Sequence, residues 1–326
     1  MVKDLREETF PQGRRWEQRT TETDRSKGSE AVAATYNNLY LDARRALRRA
    51  GVEAAQLEAR ELLAHAAGKS RQELFRDMAL YASDEVEERF GQLLKRRLAG
   101  EPVAYLIGEW EFYGLTLSIW RDVLIPRADT ETLVERGILF VRGLNRTARV
   151  LDLCAGSGCV GLAVADNCPD CHVVLADWSE DALRVCRQNI QRCNLGARVS
   201  AARADALAPP PVLLRDFDLI LCNPPYIPTG DLEKLDPSVR DYEPMQALDG
   251  GEDGLSFYRA VSDRWKAALS PGGKLAFEVG WNQAPDVEYI LRRQGFREIH
   301  TVQDPGGNWR VVEGVRPEEQ ASGQDG

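Results

Sequence analysis

From Arg149 onward, short apolar runs alternate with segments of helical period, and this alternation constrains the fold more than any other feature of the chain. Strands are predicted at Arg149–Leu153, His172–Ala176, Arg198–Arg203, Asp218–Cys222 and Lys274–Val279. Helices are predicted near Cys159–Asn167 and at Glu180–Cys193, Leu255–Leu269 and Gln283–Arg293. Strand and helix in turn define an α/β, Rossmann-like doubly wound sheet. Two further extended segments, Glu298–Gln303 and Arg310–Val315, have no helix between them, so this last pair should run antiparallel at one edge.

Upstream the pattern changes. Leu39, Ala43, Ala46 and Leu47, then Ala59, Leu62, Leu63 and Ala66, then Phe90, Leu93, Leu94 and Leu98 all follow helical spacing. Gly51, Gly68 and Gly100 stand where C-caps belong, Ser70 with Glu73 reads as a capping box, and Ser83 can start the last helix. Residues 34–100 are therefore expected to form a small all-α bundle. Between 101 and 122 the period shifts to two, first at Val103, Tyr105 and Ile107, then at Phe112, Leu115, Leu117 and Ile119. That predicts a β-hairpin linker turning near Gly108. A helix from Asp129 to Arg142 opens the main domain, 123–315. Residues 1–33 and 316–326 are polar and read as disordered tails.

At 326 residues the chain has length for about two domains, each able to bury a core. Lys plus Arg number 42 against 51 for Asp plus Glu, a net charge of −9, so a phosphate backbone is not the favoured partner. No apolar run is long enough to cross a membrane and the start of the chain lacks a signal-peptide core, so a cytoplasmic protein is expected. Seven cysteines, an odd number, several of them in apolar segments, read as reduced thiols. Cys168 and Cys171 have C-x-x-C spacing without a second pair, and His65, His172 and His300 lie far apart, so no metal site is expected.

Four strand ends carry the chemistry. Asp152 leads into Cys154-Ala155-Gly156-Ser157-Gly158, a small-residue turn that opens a helix and lets a ligand approach backbone N–H groups. With Leu162 taken as the third position of a dinucleotide turn, a pyrophosphate cradle is disfavoured. Asp177, nineteen residues past Gly158, can chelate ribose hydroxyls or cap the next helix beside Ser179. Asp205 can accept from the exocyclic amine of adenine. Together these make a nucleoside site without an added phosphate pocket, which suits S-adenosylmethionine. The fourth is Asn223-Pro224-Pro225-Tyr226. Two prolines force an extended turn, remove two donors and leave carbonyls beside the Asn223 side-chain oxygen. Such a corner suits a planar NH2 group. The lone pair of an amide nitrogen is delocalised, so both N–H bonds must be held while the nitrogen is aimed at an electrophilic methyl. Asn223 Oδ1 and the Pro224 carbonyl are the acceptors of choice, with the Tyr226 ring against the planar group.

With these motifs the chain resembles the HemK/PrmC family of protein glutamine methyltransferases from about Tyr36 to Val315. The resemblance runs through Glu101–Gly108, Leu124–Glu131, the glycine turn, Asn223–Ile227, Tyr242-Glu243-Pro244, Gly251–Gly254 and Glu278-Val279-Gly280. It implies a class I S-adenosylmethionine-dependent methyltransferase that methylates the side-chain amide nitrogen, N5, of the glutamine in the Gly-Gly-Gln motif of class 1 peptide release factors. It also implies a helical domain that docks the substrate. The resemblance assigns cofactor binding to Cys154, Ala155, Gly156, Ser157, Gly158, Asp177, Asp205, Ala206 and Asn223, with Arg127 and Phe112 closing over it. Asn223, Pro224, Pro225 and Tyr226 would hold the substrate glutamine. Cys154 stands where the family usually has glycine, and Ala206 where a larger side chain is common.

The same turn could serve a ribosomal-protein glutamine, or adenine N6 in DNA or RNA, where a base must also be flipped from its stack. A nucleoside-binding adaptor would not need the prolines, and a dinucleotide oxidoreductase fits the turn less well. A monomer is expected, with proton loss to solvent because no histidine or raised-pKa carboxylate is evident at the motif.

Overall fold

The computed structural model describes residues 33–318, and most of the two tails expected from sequence lies outside the described residues. Arg316, assigned to the second tail, is held to the sheet by its N–H to the Gly273 carbonyl at 2.8 Å.

The first layer is helical. Helices α1 (Tyr36–Arg49), α2 (Ala55–Ala67), α3 (Arg71–Arg76) and α4 (Asp84–Leu98) bury Ala43, Leu47, Ala59, Leu62, Leu63 and Phe90 against one another. The capping signals hold: Gly68 ends α2 in the left-handed region, Ser70 and Glu73 form a capping box, and Ser83 accepts from Val86 N–H.

The linker corrects one expectation. Val103–Ile107 is a helix, α5, not a strand, because Val103, Ala104, Tyr105 and Leu106 are all buried and no solvent face exists to impose a period of two. Pro102 starts it and Gly108, at φ +78°, ends it, so Gly108 is a helix cap and not a hairpin turn. The hairpin follows as β1 (Glu109–Phe112) and β2 (Leu115–Ser118), turning at Tyr113-Gly114.

Helix α6 (Glu131–Gly143) leads into the alternating core: β3 (Ala148–Leu153), α7 (Cys159–Asn167), β4 (Cys171–Asp177), α8 (Glu180–Arg192), β5 (Val199–Arg203) and β6 (Phe217–Cys222). After short helical turns that include α9 (Pro237–Arg240) come α10 (Ser256–Arg264), β7 (Leu269–Glu278), α11 (Ala284–Arg293), β8 (Arg297–Gln303) and β9 (Trp309–Val315). The predicted helix to Leu269 is cut short at Arg264; a 3-10 turn follows and β7 begins at Leu269 itself.

Seven strands run in the order β5-β4-β3-β6-β7-β9-β8. All neighbours are parallel except the pairs made by β9, which lies reversed between β7 and β8. Two apolar layers flank the sheet, one including Leu133, Leu162 and Leu175, the other Tyr258, Trp265 and Phe277. Strand order reverses between β3 and β6, which opens a crevice beyond their carboxyl ends, the place where open α/β sheets bind ligands.

Candidate active site

The turn after β3 is tight. Cys154 adopts φ +63°, with Gly156 at +54° and Gly158 at +80°. A cysteine here occupies a conformation costly to residues with a Cβ. The chain also carries a third glycine that the sequence reading misplaced. Counting from Gly156, the G-x-G-x-x-G position is Gly161, not Leu162. Its role is packing: a Cβ on Gly161 would stand 2.4 Å from Leu175 Cδ2 and 2.9 Å from Asp152 Cβ. The spacing therefore does not argue against a dinucleotide.

Buried carboxylates brace this turn. Asp152 accepts from Gly161 N–H at 2.8 Å, and its burial pushes its pKa up to about 7. Asp177 accepts from Gly156 N–H and Ser179 N–H, both at 2.9 Å, tying the end of β4 to the glycine turn. Burial raises its pKa against those hydrogen bonds. Ser179, not Asp177, caps α8 through Ala182 N–H. Asp205 is exposed at the next corner and accepts from Leu207 N–H at 2.8 Å.

These groups line one cavity of about 550 Å³. Its wall contains Cys154, Ala155, Gly156, Ser157, Asp177, Asp205, Ala206, Arg127, Asn223 and Pro225. Gly158 lies under the wall, and Phe112 is buried in the core away from it, which corrects the expectation that Phe112 closes over the cofactor. Arg127 is held by an ion pair to buried Glu243, whose carboxylate also accepts from Ile125 N–H. Sequence reasoning missed Thr130, Trp178, Leu207 and Phe257, which also belong to the wall. Trp178 and Leu207 add apolar side chains beside Asp177 and Ala206.

The Asn223–Tyr226 turn is pinned from behind. Ile227 N–H donates to Leu248 O, Gly250 N–H donates to Ile227 O at 2.8 Å, and Gln283 Nε2 donates to the Tyr226 carbonyl at 2.9 Å. Among the described residues no donor occupies the Pro224 carbonyl. Asn223 Nδ2 points to Thr130 Oγ1 at 3.4 Å. One expectation is overturned: a carboxylate of raised pKa does stand at this motif. Glu278, the last residue of β7, is buried, and burial pushes its pKa up to about 7, while hydrogen bonds from Thr130 and Tyr226 pull it down.

The residues present fit S-adenosylmethionine. The volume suits a ligand of that size. Among the described residues Ser157 Oγ is buried with no hydrogen-bond partner, and Gly156, whose N–H donates to Asp177, has open space where a Cβ would stand.

Sheet order, glycine turn, acidic strand ends and the proline corner together define a class I S-adenosylmethionine-dependent methyltransferase. Comparison narrows the class. Residues 38–108 match the PrmC N-terminal domain and residues 135–234 the methyltransferase small domain. The release factor glutamine methyltransferase of Geobacter sulfurreducens is 42% identical over 266 residues, 81% of this chain and 90% of that protein. Its counterpart from Bordetella pertussis is 40% identical over 259 residues, 79% of this chain and 94% of that protein. Among solved structures, the hMettl16 catalytic domain aligns at TM-score 0.52 and 15% identity over 70% of this chain and 83% of that one, a likeness of fold alone. The chain belongs to the release factor glutamine methyltransferase family and is a protein-(glutamine-N5) methyltransferase.

Proposed function

We propose that the protein methylates the side-chain amide nitrogen of the glutamine in the Gly-Gly-Gln motif of class 1 peptide release factors. The observation that carries the reading is the pinned Asn223-Pro224-Pro225-Tyr226 corner, of which Asn223 and Pro225 line the cavity of about 550 Å³ and the Pro224 carbonyl has no donor among the described residues. When bound, S-adenosylmethionine supplies an electrophilic methyl group on a sulfonium. Asn223 Oδ1 and the Pro224 carbonyl accept the two N–H bonds of the substrate amide and hold its plane, so that the nitrogen presents its face to that methyl. The Tyr226 ring bounds the planar group. Asp177 and Asp205 fix the nucleoside end, the glycine turn admits it to the backbone, and Arg127 closes the rim. Neither the three histidines nor Glu278 is among the residues lining the cavity, so the amide proton leaves to solvent after transfer.

The helical domain 34–100 docks the protein substrate. Its support is a set of exposed side chains, Phe75 at 79%, Tyr81 at 67% and Leu80 at 56%, on an otherwise well-packed bundle.

The test incubates the protein with methyl-labelled donor and, separately, a purified class 1 release factor, ribosomal proteins, DNA and RNA. Label on the Gly-Gly-Gln glutamine alone is expected. Label on a ribosomal protein or a nucleic acid, with none on the release factor, overturns the reading.

A further inference from the structure

Asn223 can serve as acceptor only if its amide is turned the right way. Its two ends differ: Oδ1 accepts and Nδ2 donates, and nothing in the side chain itself chooses between them. The neighbour that chooses is Thr130, just before α6, buried at 2% exposure with Oγ1 3.4 Å from Asn223 Nδ2.

A threonine hydroxyl has one proton to give and lone pairs to accept with. Thr130 and Tyr226 are the hydroxyl-bearing neighbours of the Glu278 carboxylate, which lies 2% exposed at the end of β7, and among the described residues its Oε2 has no hydrogen-bond partner. Cys222 pairs with Phe277 across β6 and β7, so Glu278 stands level with Asn223. We propose that Thr130 and Glu278 are positioning residues: the carboxylate accepts a hydrogen bond from the Thr130 hydroxyl, Thr130 is left able only to accept from Asn223 Nδ2, and Asn223 Oδ1 is thereby turned to the substrate amide. This deepens the reading of Asn223 as an acceptor and rests on it.

Once Glu278 is protonated it becomes a donor toward Thr130, whose own proton is then free for Asn223 Oδ1, and the amide turns the wrong way. The charged and titratable groups facing Glu278 are Arg310 on β9, Asp129 before α6, Tyr226, Tyr258 on α10 and Cys159 on α7. Arg310 is shared with Asp129 at 2.9 Å and Asp304 at 3.2 Å, so it does not fully neutralise Glu278. The account therefore gives kcat a fall as pH drops through about 7, where Glu278 takes up its proton.

The experiment measures kcat, KM for a release factor and donor affinity for wild type, Thr130→Val, Thr130→Ser, Glu278→Gln and Asn223→Ala, at saturating donor from pH 5.5 to about 9. Thr130→Val, of equal shape, should lose about tenfold in kcat with donor affinity unchanged. Thr130→Ser should restore it. Glu278→Gln should be slow at every pH, without the acid limb. If Thr130→Val fails to fold, an active Thr130→Ser beside a pH-flat Glu278→Gln still supports the relay, and an inactive, folded Thr130→Ser overturns it. Full kcat in Thr130→Val, or an unchanged acid limb in Glu278→Gln, also overturns the relay while a dead Asn223→Ala leaves the acceptor reading standing. Full activity in Asn223→Ala would remove that reading itself.

Discussion

Two residues at the cavity, Asp152 and Cys154, are held in states that an isolated side chain would avoid. Asp152 is almost wholly buried with a pKa near 7, against about 3.9 in an unfolded chain. Between those values the folded protein binds the proton and the unfolded chain does not, so this group stabilises the fold below about pH 4 and loses its contribution as pH rises through 7. Asp152→Asn, which keeps an acceptor for Gly161 N–H, should raise the stability of the ligand-free protein by a margin on the order of 3 kcal/mol at pH 8 and much less at pH 5. Thermal unfolding at both pH values checks this; an equal margin at each would mean Asp152 is not the titrating group. Cys154 was legible as a departure from a glycine pattern, and its φ of +63° shows what that departure demands of the backbone. Glu278 and Thr130 were not legible, because one reads as a strand end and the other as a helix start. The pairing of β6 with β7 brings Glu278 level with Asn223, and the start of α6 brings Thr130 against the same corner.

Among the elements, those with a regular period were read best. The β3-turn-α7 unit, the acidic ends of β4 and β5, and the proline corner after β6 all lie where apolar strands end, and chain alternation alone places such ends along one edge of the sheet. The linker failed for a physical reason: Val103, Ala104, Tyr105 and Leu106 are all buried, so the alternation of large and small residues carried no face, while Pro102 and Gly108 were the true boundary signals. The stretch from 229 to 249 was unreadable because it consists of single turns set by tertiary contact, yet it supplies Glu243 for Arg127 and the strap behind Tyr226. Beside this strap Gly250 packs directly on the corner. A Cβ there would lie 2.7 Å from Tyr226 Cα and 2.9 Å from the Pro225 carbonyl oxygen, backbone atoms that cannot rotate away. Gly250→Ala should cost about 1–3 kcal/mol of stability and displace the corner, so that kcat falls more than donor affinity. Isothermal titration beside turnover checks the split, and equal loss in both would place the strain in the cofactor pocket instead.

For the molecule as a whole, the proposed function gives chemistry to the methyltransferase sheet and recognition to the helical bundle. If the bundle grips a folded partner, Phe75→Ala with Tyr81→Ala should raise KM for a full-length release factor several-fold and leave KM for a short Gly-Gly-Gln peptide unchanged. These side chains are exposed, so their removal should not disturb the bundle core. Steady-state kinetics on the two substrates decides it, and parallel changes in both would assign the bundle a structural role only. The acidic balance of the chain agrees with a protein partner. Among the described residues no helix is long and apolar enough to cross a membrane.

The central claim is that Asn223 works in transfer and not merely in holding the donor. Donor binding by calorimetry and methyl transfer to a release factor, measured on the same preparation of Asn223→Ala, test it together. The account predicts binding within a few-fold of wild type and transfer reduced by at least about a hundredfold. Transfer at the wild-type rate, or binding and transfer lost in equal measure, would contradict it.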